Sequence, residues 1–366
     1  VGKSSLMNEL LQEEKTYLFF SHTIKGQSYN MKMLLHLMDL KCNLIDYEKI
    51  VDEKNQRLIF FGRYAGLAGL IETIHAYGEK LRLQGIHTPF EKIKQAYQYS
   101  SVEEAKMHFK SVAHDLQKNG IPKDLGPVVF GFAGYGNVSC GAQELFDLLP
   151  HKDLSSTELT ENFSSLTSWD GTMFKFVFKE EHMVIPKNGK FDLRDYYDNP
   201  ENYTGNFSSW LPYINVLVNC IYWTEKYPRL VTKDYLNQHP DGNLSVIGDI
   251  SCDIEGSIEI THKSTYPDSA TYTYFPAEKE FKDGTLRNGI TIMAVDNLPC
   301  EFSKESSIEF SRVLREFIPL LIQENFNVSL EELKLPTSMK RGLILHQGKL
   351  TEDYIYMKKY LKKENS

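Results

Sequence analysis

The sequence predicts an α/β fold of two domains, each built on a mainly parallel sheet, and three observations predict it. Short apolar strands alternate with amphipathic helical stretches over residues 16–119. A buried strand runs through a glycine-rich turn into a helix within residues 128–149. The chain, 366 residues with 41% hydrophobic content, can bury two cores and is short for three.

The elements follow in order. Residues 16–21 (TYLFFS) read as a strand, 28–41 as a helix, 42–45 (CNLI) and 57–61 (RLIFF) as strands, and 65–83 as a helix. Such strand–helix–strand grammar with short apolar strands suits a parallel sheet covered on both faces. Ser101 with Glu104 three residues on is a capping-box pattern, opening a helix that Gly120 and Pro122 stop after Asn119. That stop sets the expected boundary: a first domain at 1–119, a second at 120–299, and a C-terminal helical segment at 300–366 returning to the first. Within the second domain, strand 128–133 leads through the glycines to helix 142–149, and further buried strands fall at 214–218, 246–250 and 290–295. Residues 153–213, rich in aromatics, Asn, Asp and Ser, read as long loops and short helices, and 303–323 as one amphipathic helix.

A formal charge of -8 and a pI near 5.8 argue against nucleic acid or an anionic membrane as partner, since either needs a cationic surface. The longest apolar runs fall far short of the roughly 20 residues that span a bilayer. Five cysteines, Cys42, Cys140, Cys220, Cys252 and Cys300, are odd in number and form no CxxC pair. Neither a disulfide framework nor a metal site is suggested, and a reducing compartment is the simplest fit. Of the Asn-x-Ser/Thr triplets, the one at Asn137 lies inside the glycine turn, where a glycan would block it, which argues against secretion. The chain begins with Val1 and reads as a piece of a longer one, with any targeting peptide upstream.

The turn Gly134-Tyr135-Gly136-Asn137-Val138-Ser139-Cys140-Gly141 carries the clearest chemistry. Glycines after a buried strand let the backbone approach a pyrophosphate, whose charge sits at the positive N-terminus of the next helix. Gly134, Tyr135, Gly136, Asn137 and Val138 are therefore the expected dinucleotide contacts, although Gly141 follows Gly136 at a longer spacing than usual. No strand ending in Asp or Glu is evident at the distance that holds a ribose 2′-hydroxyl. His151 and Lys152 stand there instead, either to meet a 2′-phosphate, which favours NADP, or as a solvated charged loop. A competing string, Val1-Gly2-Lys3-Ser4-Ser5, copies the end of a P-loop, but no metal-binding Asp strand of the matching style follows.

Several strings in order, TYLFFSHTIKGQ (16–27), LIDYEKIVD (44–52), FFGRYAGLAG (60–69), GYGNVSCGAQ, NCIYW (219–223), YPRL (227–230), GDISCDIEGSIE (248–259) and DNLP (296–299), resemble one family over essentially the whole chain. It is the lysine-ketoglutarate reductase domain of bifunctional α-aminoadipic semialdehyde synthases, grouped with alanine dehydrogenase, transhydrogenase and lysine-forming saccharopine dehydrogenase. The resemblance implies two Rossmann-like domains with parallel sheets and the active site in the interdomain cleft. It also implies a first strand, bearing a substrate-gripping arginine, ahead of Val1, and a fused saccharopine dehydrogenase domain after Ser366. The implied reaction condenses L-lysine with 2-oxoglutarate and reduces the imine to saccharopine with NADPH, NAD being the less favoured cofactor. Residence in the mitochondrial matrix is implied by the family alone, the cytoplasm otherwise, and a homo-oligomer is compatible with it.

By the same resemblance His22 matches the acid/base histidine and Lys3 a second catalytic group; without it, each reads as structural or as a terminal charge. Lys25 and Arg57 are the expected partners of substrate carboxylates and Glu48 of an ammonium group, against the reading of surface salt bridges and a solvated acid. Asn219 and Asp253 follow buried strands, at the edge where cofactors bind, although Asp253 also reads as a helix cap. NAD-dependent saccharopine dehydrogenase, alanine dehydrogenase and a catalytically silent nucleotide-binding regulatory module are the alternatives.

Overall fold

The computed structural model describes residues 10–361. Its strands begin with β1 (Thr16–Phe19), β2 (Asn43–Asp46), β3 (Val129–Ala133), β4 (His151–Asp153), β5 (Met173–Phe178), β6 (Val184–Pro186) and β7 (Tyr203–Gly205). They continue with β8 (Val216–Asn219), β9 (Val246–Asp249), β10 (Thr271–Phe275), β11 (Glu280–Asp283), β12 (Ile290–Met293), β13 (Leu343–His346) and β14 (Lys349–Leu350). The helices include α1 (Ser28–Asp39), α2 (Gly62–Leu83), α3 (Val102–Asn119) and α4 (Asn137–Phe146).

Internal packing separates two compact units, residues 10–60 with 307–361, and residues 61–306. This division differs from the boundaries at 119/120 and 299/300 drawn from the sequence. Gly120 lies inside the larger unit because α2 and α3 bury Leu70, Ile74, Phe109 and Leu116 in the same core as Phe130, Val216 and Val246.

In the smaller unit β1 and β2 pair in parallel, from Thr16 opposite Asn43 to Phe19 opposite Asp46. β13 adds antiparallel to β2 and β14 antiparallel to β13, so the sheet is mixed. The strand expected at 57–61 does not form. Asp52 Oδ1 accepts from the N–H groups of Lys54 and Gln56, Asn55 takes a φ of 61°, and the reversed chain leaves Arg57 one bridge to Val51. β13, with Leu343, Ile344 and Leu345 fully buried, covers the free side of β2 instead. The single helix expected at 303–323 is two, Ser303–Leu314 and Ile318–Gln323, since Pro319 in the first turn of the second has no N–H to continue a ladder.

The larger unit is built on an eight-stranded sheet in the order β11-β10-β12-β9-β8-β3-β5-β4. β12 to β4 run parallel, whereas β10 and β11 add as an antiparallel hairpin. β5 falls in the stretch read as loops and short helices; its apolar run MFKFVF has no alternation for periodicity to detect. The register sets Ala133 beside Phe178 on one side and Asn219 on the other, and Asn219 beside Asp249. The C-terminal ends of β5, β3, β8 and β9 thus form one row. From β3 the chain goes to one side for β4 and β5 and to the other for β8 and β9, which puts a topological switch point at Ala133.

α4 starts directly after Gly136, five residues before the start expected at 142. It meets α2 backbone to backbone: a Cβ on Gly66 would lie 1.9 Å from the Val138 carbonyl oxygen, and one on Gly141 2.2 Å from that of Arg63. The Arg63 guanidinium then donates to both Glu144 oxygens at 2.7 Å, and Lys106 of α3 reaches Glu144 at 2.8 Å. α2 also buries Glu72, whose carboxylate accepts from the Ala96 N–H at 2.5 Å. Burial, and then the charge of Glu72 beside it, pushes Glu301 up to about 9, so Glu301 holds a proton at neutral pH.

Two outcomes follow from this packing. Gly141→Ala should cost about 1–3 kcal/mol, because main chain rather than a flexible side chain must give way; thermal unfolding beside the wild type reads it. The Glu301 carboxyl, with an ordinary value of 4.5 and a folded value of about 9, keeps its proton in the folded state after the unfolded chain has lost it. Its contribution to stability therefore falls as pH rises through that window. Glu301→Gln should flatten the decline and unfold at a higher temperature than the wild type at about pH 8, whereas an unchanged slope would remove Glu301 as its source.

Candidate active site

The glycine turn is shaped for an anion. Gly134, at a φ of 93°, takes the left-handed conformation that turns the chain out of β3, and its N–H donates to the Phe178 carbonyl at 3.0 Å. Gly136 is the N-cap of α4, and a Cβ there would meet nothing within 4 Å. α4 has no side-chain cap and no acidic residue in its first turn, so its first N–H groups and the helix dipole are left for an incoming negative group. Gly141 serves the contact with α2 already described, which explains why its spacing departs from the usual fingerprint: it answers to a neighbouring helix. Asn137 is exposed and Val138 half-buried in that first turn, and the Tyr135 hydroxyl donates to Glu180 at 3.1 Å.

Beside the turn, the ends of β8 and β9 hold a buried polar cluster. The Asn219 amide donates to Asp249 at 2.8 Å and to the Ser257 hydroxyl at 2.9 Å, and Thr261 donates to the other Asp249 oxygen at 2.5 Å. Burial pushes Asp249 up to about 6, against the opposing pull of these donors. Asn219 Oδ1 is buried without a hydrogen-bond partner. An orphaned acceptor at the switch point, next to an uncapped helix N-terminus and an open glycine, is a set of groups that fits a nicotinamide dinucleotide. Asp253 is exposed in a turn in which its carbonyl accepts from the Gly256 N–H at 2.9 Å, and no helix starts there for it to cap.

His151 and Lys152 are not brought to the turn. They lie on β4, the outermost strand, with β5 between it and β3. His151 Nδ1 pairs with the Leu149 carbonyl at 2.9 Å and Lys152 with Glu158 at 2.7 Å. β4 does end in an acid, Asp153, but that carboxylate lies on the same outer strand and faces Lys175 at 3.1 Å. The chain that flanks the turn is the exit from β5, at Lys179 and Glu180.

In the smaller unit the residues around His22 converge on Asp46. The Asp46 carboxylate, fully buried at the end of β2, accepts from the Ser21 N–H at 3.0 Å and its hydroxyl at 2.6 Å, and from the Glu48 N–H at 2.9 Å. Burial holds its carboxyl above the usual range, and the Ser21 donors oppose this. Ser21 also shares a hydrogen bond of 2.8 Å with Thr23, so both neighbours of His22 are fixed. His22 itself has a φ of 53°, its carbonyl accepts from Asn30 Nδ2 at 3.1 Å, and its ring lies 5.0 Å from that of Phe20. Lys25 is exposed one turn on, in a loop whose Ile24 carbonyl accepts from the Tyr356 hydroxyl at 2.7 Å. Glu48 and Arg57, assigned separately by the sequence, form an ion pair with each other. Lys3 lies outside the described residues.

Sequence reasoning passed over Asp46, Asp249 and Glu180. The first two had a signal: each is the single acid closing a short buried strand, NLID and VIGD, where a charge is costly unless donors meet it. A cavity of about 610 Å³, lined by Thr88, Lys92, Gly120, Lys123 and Trp169 among others, contains none of the expected site residues.

The profile of the alanine dehydrogenase/PNT C-terminal domain family matches residues 202–353. α-Aminoadipic semialdehyde synthase of Arabidopsis thaliana is 38% identical over 364 residues, 95% of this chain and 34% of that protein. The mitochondrial α-aminoadipic semialdehyde synthase of Mus musculus is 32% identical over 370 residues, 96% of this chain and 40% of that protein. The chain thus spans 34–40% of the length of these curated relatives. Among solved structures, an L-alanine dehydrogenase aligns with a TM-score of 0.55 at 12% identity, over 96% of this chain and 76% of its own, which speaks to the fold. The chain thus matches the alanine dehydrogenase/PNT C-terminal domain over residues 202–353 and is similar, over nearly its whole length, to part of α-aminoadipic semialdehyde synthase.

Proposed function

We propose that this chain catalyses the reductive condensation of L-lysine with 2-oxoglutarate to saccharopine. The observation that carries the reading is the backbone of His22. A non-glycine residue in the left-handed region costs about 1–2 kcal/mol, and the buried Asp46 network, through Ser21 and Thr23 on either side, holds it there beside the Phe20 ring. An imidazole so placed suits proton transfer near neutral pH.

In this reading the His22 imidazole takes a proton as the ε-amine of lysine adds to the keto carbon, and returns one to the hydroxyl that leaves as water. Lys3 is the second acid/base group, on the resemblance alone. Lys25 meets a substrate carboxylate, and the Glu48–Arg57 pair, with opposite charges side by side, matches the ammonium and carboxylate of an amino acid. A bound reduced nicotinamide dinucleotide supplies the hydride. The first turn of α4 would hold its pyrophosphate, and Asn219 would accept from its carboxamide. A downstream saccharopine dehydrogenase partner and a place in the mitochondrial matrix belong to the same reading; no described helix is long and apolar enough to cross a membrane.

Steady-state assays test it. Oxidation of the dinucleotide should require lysine and 2-oxoglutarate together and yield saccharopine by mass spectrometry. Turnover of pyruvate with ammonia instead, or dinucleotide binding with no turnover, would overturn the reading. His22→Gln should lower kcat by about 10²-fold or more while leaving dinucleotide affinity unchanged. Asp46→Asn keeps the volume but offers Ser21 one acceptor oxygen fewer; kcat should fall about tenfold with KM for lysine unmoved, as for a residue that positions the imidazole.

A further inference from the structure

The strand beside the glycine turn, β5, delivers two charged residues to it. Ala133 and Phe178 are paired across the sheet, and the Gly134 N–H closes on the Phe178 carbonyl at 3.0 Å, so Lys179 and Glu180 emerge alongside the turn. The Glu180 carboxylate points back to it. Oε2 accepts from the Tyr135 hydroxyl, in the turn itself, at 3.1 Å, and Oε1 from the Tyr197 hydroxyl at 2.5 Å. Among the described residues no lysine, arginine or histidine lies within ion-pair distance of Glu180, although Lys179 adjoins it and Lys226 donates to the Tyr197 carbonyl at 3.1 Å. The carboxylate is half-buried and held at both oxygens by neutral donors.

We propose that Glu180 reads the adenosine ribose of the dinucleotide and makes this chain select NAD(H) over NADP(H), the reverse of the preference that His151 and Lys152 suggested from the sequence. The inference rests on the reading that the glycine turn binds a nicotinamide dinucleotide. With the pyrophosphate on the first turn of α4, the ribose falls toward the end of the neighbouring parallel strand, which is where Glu180 stands. Each carboxylate oxygen offers about two acceptor sites, so each can hold its tyrosine and still take one ribose hydroxyl. A 2′-phosphate would bring a charge of about -1.5 to -2 against a carboxylate already locked in place. Because both phenols fix the rotamer, Glu180 cannot swing away at little cost, and the repulsion acts in full. Tyr135 and Tyr197 are positioning residues here.

Calorimetric titration with oxidised NAD and NADP, in the absence of lysine and 2-oxoglutarate, separates this inference from the catalytic one. The wild type should bind NAD at least about tenfold more tightly than NADP, the size of a charge-assisted hydrogen bond gained or lost. Glu180→Gln should narrow the ratio, and Glu180→Lys should invert it, with circular dichroism confirming that each variant is folded. NADP binding as tight as NAD by the wild type, or a ratio that Glu180→Lys leaves unchanged, would overturn the assignment of Glu180 while leaving the glycine turn as a nucleotide site. Failure of both nucleotides to bind folded protein would overturn the nucleotide reading, and this inference with it.

Discussion

Direct contact between the backbones of α2 and α4 is the constraint on which the larger unit depends. Neither Gly66 nor Gly141 has room for a methyl group, since the nearest atoms are carbonyl oxygens of the opposite helix. This closeness presses α4 onto α2, lets Arg63 and Lys106 gather on Glu144, and fixes the direction in which the first turn of α4 faces. That turn, left without a cap, stands at the row formed by the ends of β5, β3, β8 and β9. A helix packed at an ordinary distance would carry its orphan N–H groups away from this row.

A second device recurs in both units: an acid closes a short apolar strand and is met by donors from the next segment. Asp46 gathers Ser21 and the Glu48 N–H at the end of β2. Asp249 gathers Thr261, Asn219 and the Cys252 N–H at the end of β9. Buried carboxylates of this kind are costly unless satisfied, and satisfying them fixes their donors in place. In one case the result is a histidine held in a left-handed conformation, and in the other an asparagine with a free acceptor oxygen.

Much of the fold was legible because local signals were strong. The Ser101 cap does accept from the Glu104 N–H, Gly120 ends α3, and the apolar strands around the glycine turn lie where their composition put them. What escaped depends on partners remote in sequence. β13 reaches β2 from nearly 300 residues away, a pairing that hydrophobic pattern alone does not encode. β5 slips between β3 and β4, out of chain order, and this puts Lys179 and Glu180, rather than His151 and Lys152, beside the glycine turn. The ion pair of Glu48 with Arg57 escaped for a different reason: Glu48 was matched to a substrate ammonium, and Arg57, with a surface salt bridge as its alternative, was placed in a strand at 57–61 that does not form.

The central claim is that a hydride leaves a dinucleotide held by the glycine turn and arrives on the carbon that joins lysine to 2-oxoglutarate. Reduced dinucleotide deuterated at its transferable position, incubated with the protein and both substrates, tests it most directly. The account predicts saccharopine carrying a single deuterium at the former keto carbon. Saccharopine without the label, or labelled dinucleotide bound yet left unoxidised beside both substrates, would contradict it.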